Sequence, residues 1–175
     1  HPHCRRQRQM CIRDSNTISC ASCHAPQYAF SDNIPFSSGV NGDLGKRNSM
    51  VLQNLAWVDE FLWDGAIHSL EEQILLPVMD STEMDNTWSD FLNEVRYDNL
   101  YRELFYNAFG TLEPDSILAA KAIAQFLRTM ISGNSKYDKV LRYEANFTPD
   151  ENAGFSSFNS LTGGDCFHCH GGILG

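Results

Sequence analysis

The chain of 175 residues has no run of 18 or more apolar residues, so no segment of it can cross a bilayer as a helix. It also lacks any sustained period-two alternation of β-branched residues, which argues against a sheet as the main scaffold. Positive charge is scarce, with 13 Lys+Arg against 22 Asp+Glu and a net charge of −9. An acidic surface repels a phosphate backbone, so nucleic acid is excluded as a partner; salt-dependent docking of a basic protein is favoured instead. Cysteines are too few for a disulfide-dense scaffold: there are six, and they are not evenly spread.

Residues 1–15 differ from the rest. They hold Arg5, Arg6, Arg8 and Arg13, two of the cysteines (Cys4 and Cys11), and no periodic apolar pattern. They read as a non-native tail and are set aside from the fold. No leader peptide is visible, which carries no weight beside such an N-terminus. Without this basic tail the remainder is more acidic still.

The other four cysteines form two close pairs, each followed directly by histidine: Cys20-Ala21-Ser22-Cys23-His24 and Cys166-Phe167-His168-Cys169-His170. Cys-x-x-Cys-His is the attachment signature of a c-type haem. Two thiols three residues apart can add to the two vinyl groups of one porphyrin, and the adjoining imidazole then lies beneath the iron. One match is weak; two in one chain are strong. Zinc ribbons join their pairs through roughly 15–20 residues, whereas this gap is far longer and helical in pattern. A thioredoxin-like pair needs a βαβ setting that is missing, and a disulfide within each pair would strain its short loop. His168, between two cysteines, reads as filler.

Residues 16–47 are rich in Ser, Asn, Gly, Pro and Asp and read as a haem-wrapping loop. Helical spacing dominates afterwards. The sequence predicts a short helix over 70–76 closed by Pro77. A second is expected over 87–109, started by a Thr87/Asp90 pair and stopped by Gly110. Pro114 is expected in the first turn of a third helix, with Ile117, Ala120, Ala124, Leu127 and Ile131 as its buried stripe, Gly133 as its cap and 136–142 as an extension. Thr148-Pro149-Asp150-Glu151 is a capping box ahead of Phe155 and Phe158. The expected class is all-α. Residues 16–145 would form a first cytochrome c-like haem domain, and 146–175 the start of a second, present only as its first helix and attachment motif.

Taken in order, several blocks resemble the bacterial di-haem cytochrome c peroxidase family, including its MauG-like relatives. They are Cys20 to His24, Gly45-Lys46-Arg47-Asn48-Ser49, Phe61-Leu62-Trp63-Asp64-Gly65, Leu70-Glu71-Glu72-Gln73, Pro77 with Glu83-Met84, Phe126 to Thr129 with Ser132 to Asp138, and Gly154-Phe155 leading to Cys166 through Gly172. The resemblance implies two covalently bound c-type haems. The first, attached through Cys20 and Cys23 with His24 on its iron, would be peroxidatic. The second, attached through Cys166 and Cys169 with His170 on its iron, would admit electrons. Gln73 and Glu83 would line the distal pocket, where a poorly solvated carboxyl can shuttle a proton as the O–O bond breaks. Trp63 would lie between the haems as a stepping stone for an electron. Asn48 matches a residue near a calcium ion.

The activity so implied is reduction of hydrogen peroxide to water, with electrons from a small cytochrome c or cupredoxin, in the periplasm, by a full-length protein expected to be a homodimer. The alternatives are a MauG-like oxidase acting on a protein tryptophan, or a non-catalytic multihaem electron carrier. Two departures matter. Many family members carry a histidine in the loop after the first motif, but none stands between His24 and His68 here, and His68 itself reads as a helix-start residue. The first iron is therefore expected to rest five-coordinate or water-bound. The family's frequent arginine after Trp-Asp-Gly is Ala66. The second haem's distal ligand, methionine for peroxidase entry or tyrosine for MauG-like chemistry, would lie beyond Gly175.

Overall fold

A computed structural model describes residues 18–170; the tail with Cys4 and Cys11 lies outside these. Among the described residues there is no strand, and pairing is confined to isolated bridges such as Ala25–Ser31, Ser38–Leu44 and Phe61–Ile67, so the all-α class holds. The chain divides into two compact units, with the boundary after Met130.

Among the described residues the first unit starts with α1 (Cys20–Cys23), a single turn, and then runs to Ser69 with only two short 3-10 turns, at Pro26–Tyr28 and Leu55–Trp57. Four helices follow: α2 (Leu70–Met79), α3 (Trp88–Tyr97), α4 (Asn99–Phe109) and α5 (Ser116–Leu127). Each starts where a short polar side chain accepts an otherwise orphaned N–H: Ser69 from Glu72, Thr87 from Asp90, Asp98 from Leu100 and Tyr101, Asp115 from Leu118.

Three boundaries differ from the sequence expectation. Pro77 lies inside α2 rather than closing it. Its missing N–H removes one helical bond, the one owed to the Gln73 carbonyl. The helix continues because the returning loop satisfies its last carbonyls: Met84 N–H donates to Pro77 (3.2 Å) and Asn86 N–H to Val78 (2.8 Å). The expected helix over 87–109 is two helices. Asp98 adopts extended backbone and its carboxylate caps α4, so one residue ends one helix and starts the next; Gly110 (φ 72°) then stops α4 as expected. Pro114 sits just before the cap of α5 and is fully buried. That helix ends at Leu127, well before Gly133, with the Arg128 N–H donating to Ala124 (2.9 Å).

The core follows from small residues on α5. Ala120 and Ala124 have no exposed surface, which lets α2 pack closely on α5. One cluster joins Val78, Trp88, Leu92, Phe105 and Ala119; the other joins Phe61, Leu70, Ala124 and Leu127. Burying a side chain such as Leu92 is worth about 1.5–3 kcal/mol. Ile117 and Ile131, the ends of the expected stripe, are exposed. The Arg128 guanidinium grips both oxygens of Glu71 (2.6 and 3.0 Å), tying the end of α5 to the start of α2.

The second unit holds α6 (Lys136–Leu141), α7 (Pro149–Asn159) and α8 (Phe167–His170). The α6 segment therefore groups with the helix that follows it rather than extending α5. Tyr137, Phe147 and Phe155 form a ring cluster with centroids 5.5–6.4 Å apart, and Lys136 pairs with Glu151. The Thr148/Glu151 capping box forms as read. No residue described in this unit is buried.

Candidate functional site

Both Cys-x-x-Cys-His motifs fold as one helical turn. The His24 N–H donates to the Cys20 carbonyl (2.9 Å) and the His170 N–H to that of Cys166 (2.9 Å). Residues three apart on a turn share a face, so each thiol pair points the same way. None of the four cysteines is in a disulfide.

Around the first motif the chain wraps tightly. Ala29 and Phe30 both take left-handed backbone, at φ 57° and 58°. This costs roughly 1–2 kcal/mol per non-glycine residue, and it aims the Phe30 carbonyl back at the His24 ring. Nδ1 of His24 lies 3.0 Å from that carbonyl. A donating Nδ1–H leaves the lone pair on Nε2, the arrangement expected of an iron-ligating histidine held from behind. Burial lowers the imidazole pKa, while the carbonyls of Phe30 and Met50 and the charge of Asp32 oppose the shift. The neutral, ligating form is favoured.

Glu83 sits in the loop after α2, and Cys23 in α1, yet the two are neighbours. Burial raises the Cys23 thiol pKa, and the nearby charges of Asp32 and Glu83 push the same way, against hydrogen bonds from Ser37 and Ser49. Ser37 Oγ in turn donates to Asp32 (2.7 Å) and lies 2.9 Å from Ser49 Oγ. Glu83 is exposed rather than enclosed in the poorly solvated pocket expected from the sequence, though protein against its carboxyl still desolvates it in part. That desolvation, with the charge of Asp80 second, raises its pKa. Its backbone is clasped by the Val40 N–H, which donates to the Glu83 carbonyl (2.8 Å).

Gln73 lies on the helix that precedes this loop, and its buried Oε1 has no hydrogen-bond partner. Buried acceptors are rarely left so; Asn86 Nδ2 and Arg96 Nε also lack a hydrogen-bond partner, and a bound group is one way such an atom is satisfied. Trp63 is 61% exposed although its indole N–H is fixed to the Asn48 carbonyl (2.8 Å). A large aromatic ring anchored at one end and uncovered elsewhere suits a surface that is later covered. The thiol pair of Cys20 and Cys23, the backed imidazole of His24 and exposed apolar side chains on the same loop, such as Phe36 and Val51, together fit haem at the first motif.

The fit to calcium is poor. The Asn48 amide donates to the carbonyls of Asp32 (3.3 Å) and Ile34 (2.7 Å), and its oxygen already accepts from Ser31 (3.3 Å). No group of three or more His, Cys, Asp or Glu among the described residues could hold a metal. These residues alone do not make a calcium site.

The second motif is shaped within its own unit. The Gly164 N–H donates to Ser157 (2.9 Å), Cys166 Sγ lies 3.4 Å from the Gly164 carbonyl, and His168 Nδ1 is 3.0 Å from Asp165. His168 thus faces a carboxylate of its own loop. His68 is exposed ahead of the α2 cap. Sequence reasoning missed the Phe30 carbonyl and the Asp32/Ser37/Ser49 cluster. Only the density of hydroxyl residues in the loop could have hinted at the cluster.

A family model described as di-haem cytochrome c peroxidase matches residues 11–146. Methylamine utilization protein MauG of Methylorubrum extorquens is 34% identical over 158 residues, covering 89% of this chain and 44% of that protein. Cytochrome c551 peroxidase of Nitrosomonas europaea is also 34% identical, over 162 residues, covering 92% and 48%. The crystal structure of a MauG-like protein associated with microbial copper homeostasis superposes with a TM-score of 0.81 at 31% identity, covering 91% of this chain and 47% of that one. The diheme peroxidase BthA from Burkholderia thailandensis shares the fold, with a TM-score of 0.77 at 24% identity and 88% and 44% coverage. The chain spans about half the length of the curated relatives it matches. With the family model covering most of its length and helices that superpose on those relatives, the chain belongs to the di-haem cytochrome c peroxidase family.

Proposed function

We propose that the protein reduces hydrogen peroxide to water, peroxide plus two electrons and two protons giving two waters. The observation that supports this reading is the buried Gln73 amide oxygen with no partner, together with a Glu83 carboxyl whose pKa is raised, the two side chains proposed to line the distal side. A haem held by Cys20, Cys23 and His24 supplies the electron transfer that breaks the O–O bond. Glu83, whose carboxyl holds its proton more tightly than an ordinary glutamate, would deliver that proton to the departing oxygen. Gln73 orients the peroxide: its Oε1 accepts from a peroxide hydroxyl, and its amide N–H can donate to the oxygen that stays behind. Trp63, fixed through its indole N–H to the Asn48 carbonyl, would serve as an electron stepping stone to the first haem, and Cys166, Cys169 and His170 would hold a second haem through which electrons enter. The donor is a small cytochrome c or cupredoxin, approaching an acidic surface at a rate that falls with salt. Periplasmic placement and a homodimer of the full-length protein belong to the same proposal. No helix among the described residues is long and apolar enough to cross a membrane.

Glu83→Gln is the test. Both haems should be retained while the rate of peroxide reduction drops by about 10²–10⁴-fold, the range for a lost general acid; unchanged turnover overturns the assignment. The MauG-like reading has its own support, since a MauG and a cytochrome c551 peroxidase match this chain at the same 34% identity. Peroxide-dependent oxidation of a protein tryptophan, with no turnover of reduced cytochrome c or cupredoxin, would favour it. A pure electron carrier would refuse cyanide at the ferric first haem.

A further inference from the structure

Resting on that reading of Glu83, we propose that Gly39 is a positioning residue for the acid: its bare Cα lets the 38–44 turn lie directly against the backbone that carries Glu83. A Cβ built on Gly39 would stand 2.2 Å from the Thr82 carbonyl oxygen, 2.6 Å from its carbon and 2.9 Å from the Glu83 oxygen. All three are backbone atoms. No side chain can swing away, so any substituent displaces one of the two turns.

The contact is part of a two-sided clasp. Val40 N–H donates to the Glu83 carbonyl (2.8 Å), and Asn41 Nδ2 donates to Asp85 (2.8 Å) on the far side of the acid. The 38–44 turn is itself closed by Gly39 N–H to Asp43 (2.8 Å) and Gly42 N–H to Gly39 (3.0 Å). Its base is Ser37, whose N-terminal neighbours lead back to the haem-attachment turn and whose hydroxyl is bonded to Asp32 and Ser49. The acid's own turn is held from inside by Asp80, which accepts the Thr82 N–H (2.7 Å) and, through its carbonyl, the Glu83 N–H (3.0 Å). Glu83 thus rides on a turn anchored on α2 that lies directly against a turn rooted at Ser37, and Gly39 sets the spacing between the two. The charged group acting on Glu83 is Asp80.

Fluoride bound to the ferric first haem of the haem-loaded protein is the probe. A correctly placed, protonated carboxyl donates to bound fluoride, tightening it and moving its charge-transfer band. Glu83→Ala defines the signature of losing that donor. Gly39→Ala is expected to reproduce the signature, with the band moved as in Glu83→Ala and fluoride bound about tenfold more weakly, while haem content stays unchanged. Asn41→Ala removes an exposed clasp with little risk to folding and should move the band the same way, but less. If Gly39→Ala carries its haems and binds fluoride as the unaltered protein does, the proposal is overturned. If it does not accumulate, wild-type behaviour of Asn41→Ala overturns it instead. If Glu83→Ala itself leaves the fluoride spectrum untouched, the reading of Glu83 has failed and the role of Gly39 goes with it.

Discussion

His24 Nδ1 faces the carbonyl of Phe30 at 3.0 Å, and Phe30 reaches that position only through two consecutive left-handed residues, itself and Ala29. Strain of this kind persists where surrounding structure over-determines it, here through the Ala25–Ser31 bridge and the Phe30 N–H bond to Ala25 (3.0 Å).

Ala29→Gly should therefore escape the usual penalty of an Ala-to-Gly change. Relief of left-handed strain offsets the extra freedom of the unfolded chain, and the net effect is expected between zero and about 1 kcal/mol of added stability. A denaturant midpoint lowered by more than experimental scatter would show that the turn is not strained.

Gln73→Met should separate stability from activity. The change removes a buried acceptor that has no partner in the protein, so unfolding should become harder by about 1 kcal/mol or stay level. Peroxide turnover should fall. Thermal unfolding and steady-state assays on one preparation test both halves, and loss of stability would mean the amide is satisfied after all.

The Glu71–Arg128 pair predicts a pH dependence with a definite sign. Hydrogen bonding to Arg128 holds the Glu71 carboxyl below its ordinary pKa, despite the opposing cost of burial. The folded state thus binds this proton less readily than the unfolded chain. The stabilisation is fully present above the ordinary carboxylate range and is lost as pH falls through the lowered pKa. The partly exposed pair is worth about 1 kcal/mol at most. The difference in unfolding temperature between the wild type and Glu71→Gln should be largest near neutrality and close as the solution approaches pH 3. A gap that persists in acid would assign the effect to packing.

Asp98→Ala removes the cap of α4 and should cost about 1 kcal/mol. Circular dichroism should show helicity preserved or slightly raised, since nothing else forbids Tyr97 and Asn99 from joining one helix. A collapse of helicity would show that the break is imposed by the core instead.

Much of this architecture was legible from residues alone, for identifiable reasons. The attachment motifs, the Thr148 cap and Gly110 are local: the residues that cause the structure lie within a few positions of it. Asp98 shows where local reading misleads, because an aspartate inside an apolar period looks like a solvated helix position until its carboxylate is seen to face the next turn. Pro77 misleads the other way. Its stop signal is overridden by Met84 and Asn86, whose N–H groups arrive from a loop whose path cannot be inferred from spacing. The neighbourhood of Cys23 and Glu83 is a matter of tertiary path, and no periodicity encodes it. Gly39 was hidden for a related reason: in a loop already rich in glycine, one required for close approach looks like one that merely turns the chain.

The alanine face of α5 has a mechanical consequence. Ala120 and Ala124 have no rotamers with which to yield, so α2 cannot tilt or slide on them without opening a void or forcing a clash. Gln73 rides on that abutment. Glu83 instead rides on a turn held by a handful of backbone bonds between loops, which open far more cheaply than a helix seam. Of the two groups proposed to meet an oxidant, the amide would be the stiffer stop, and what adjustment the clasp around Glu83 allows would fall to the carboxyl side.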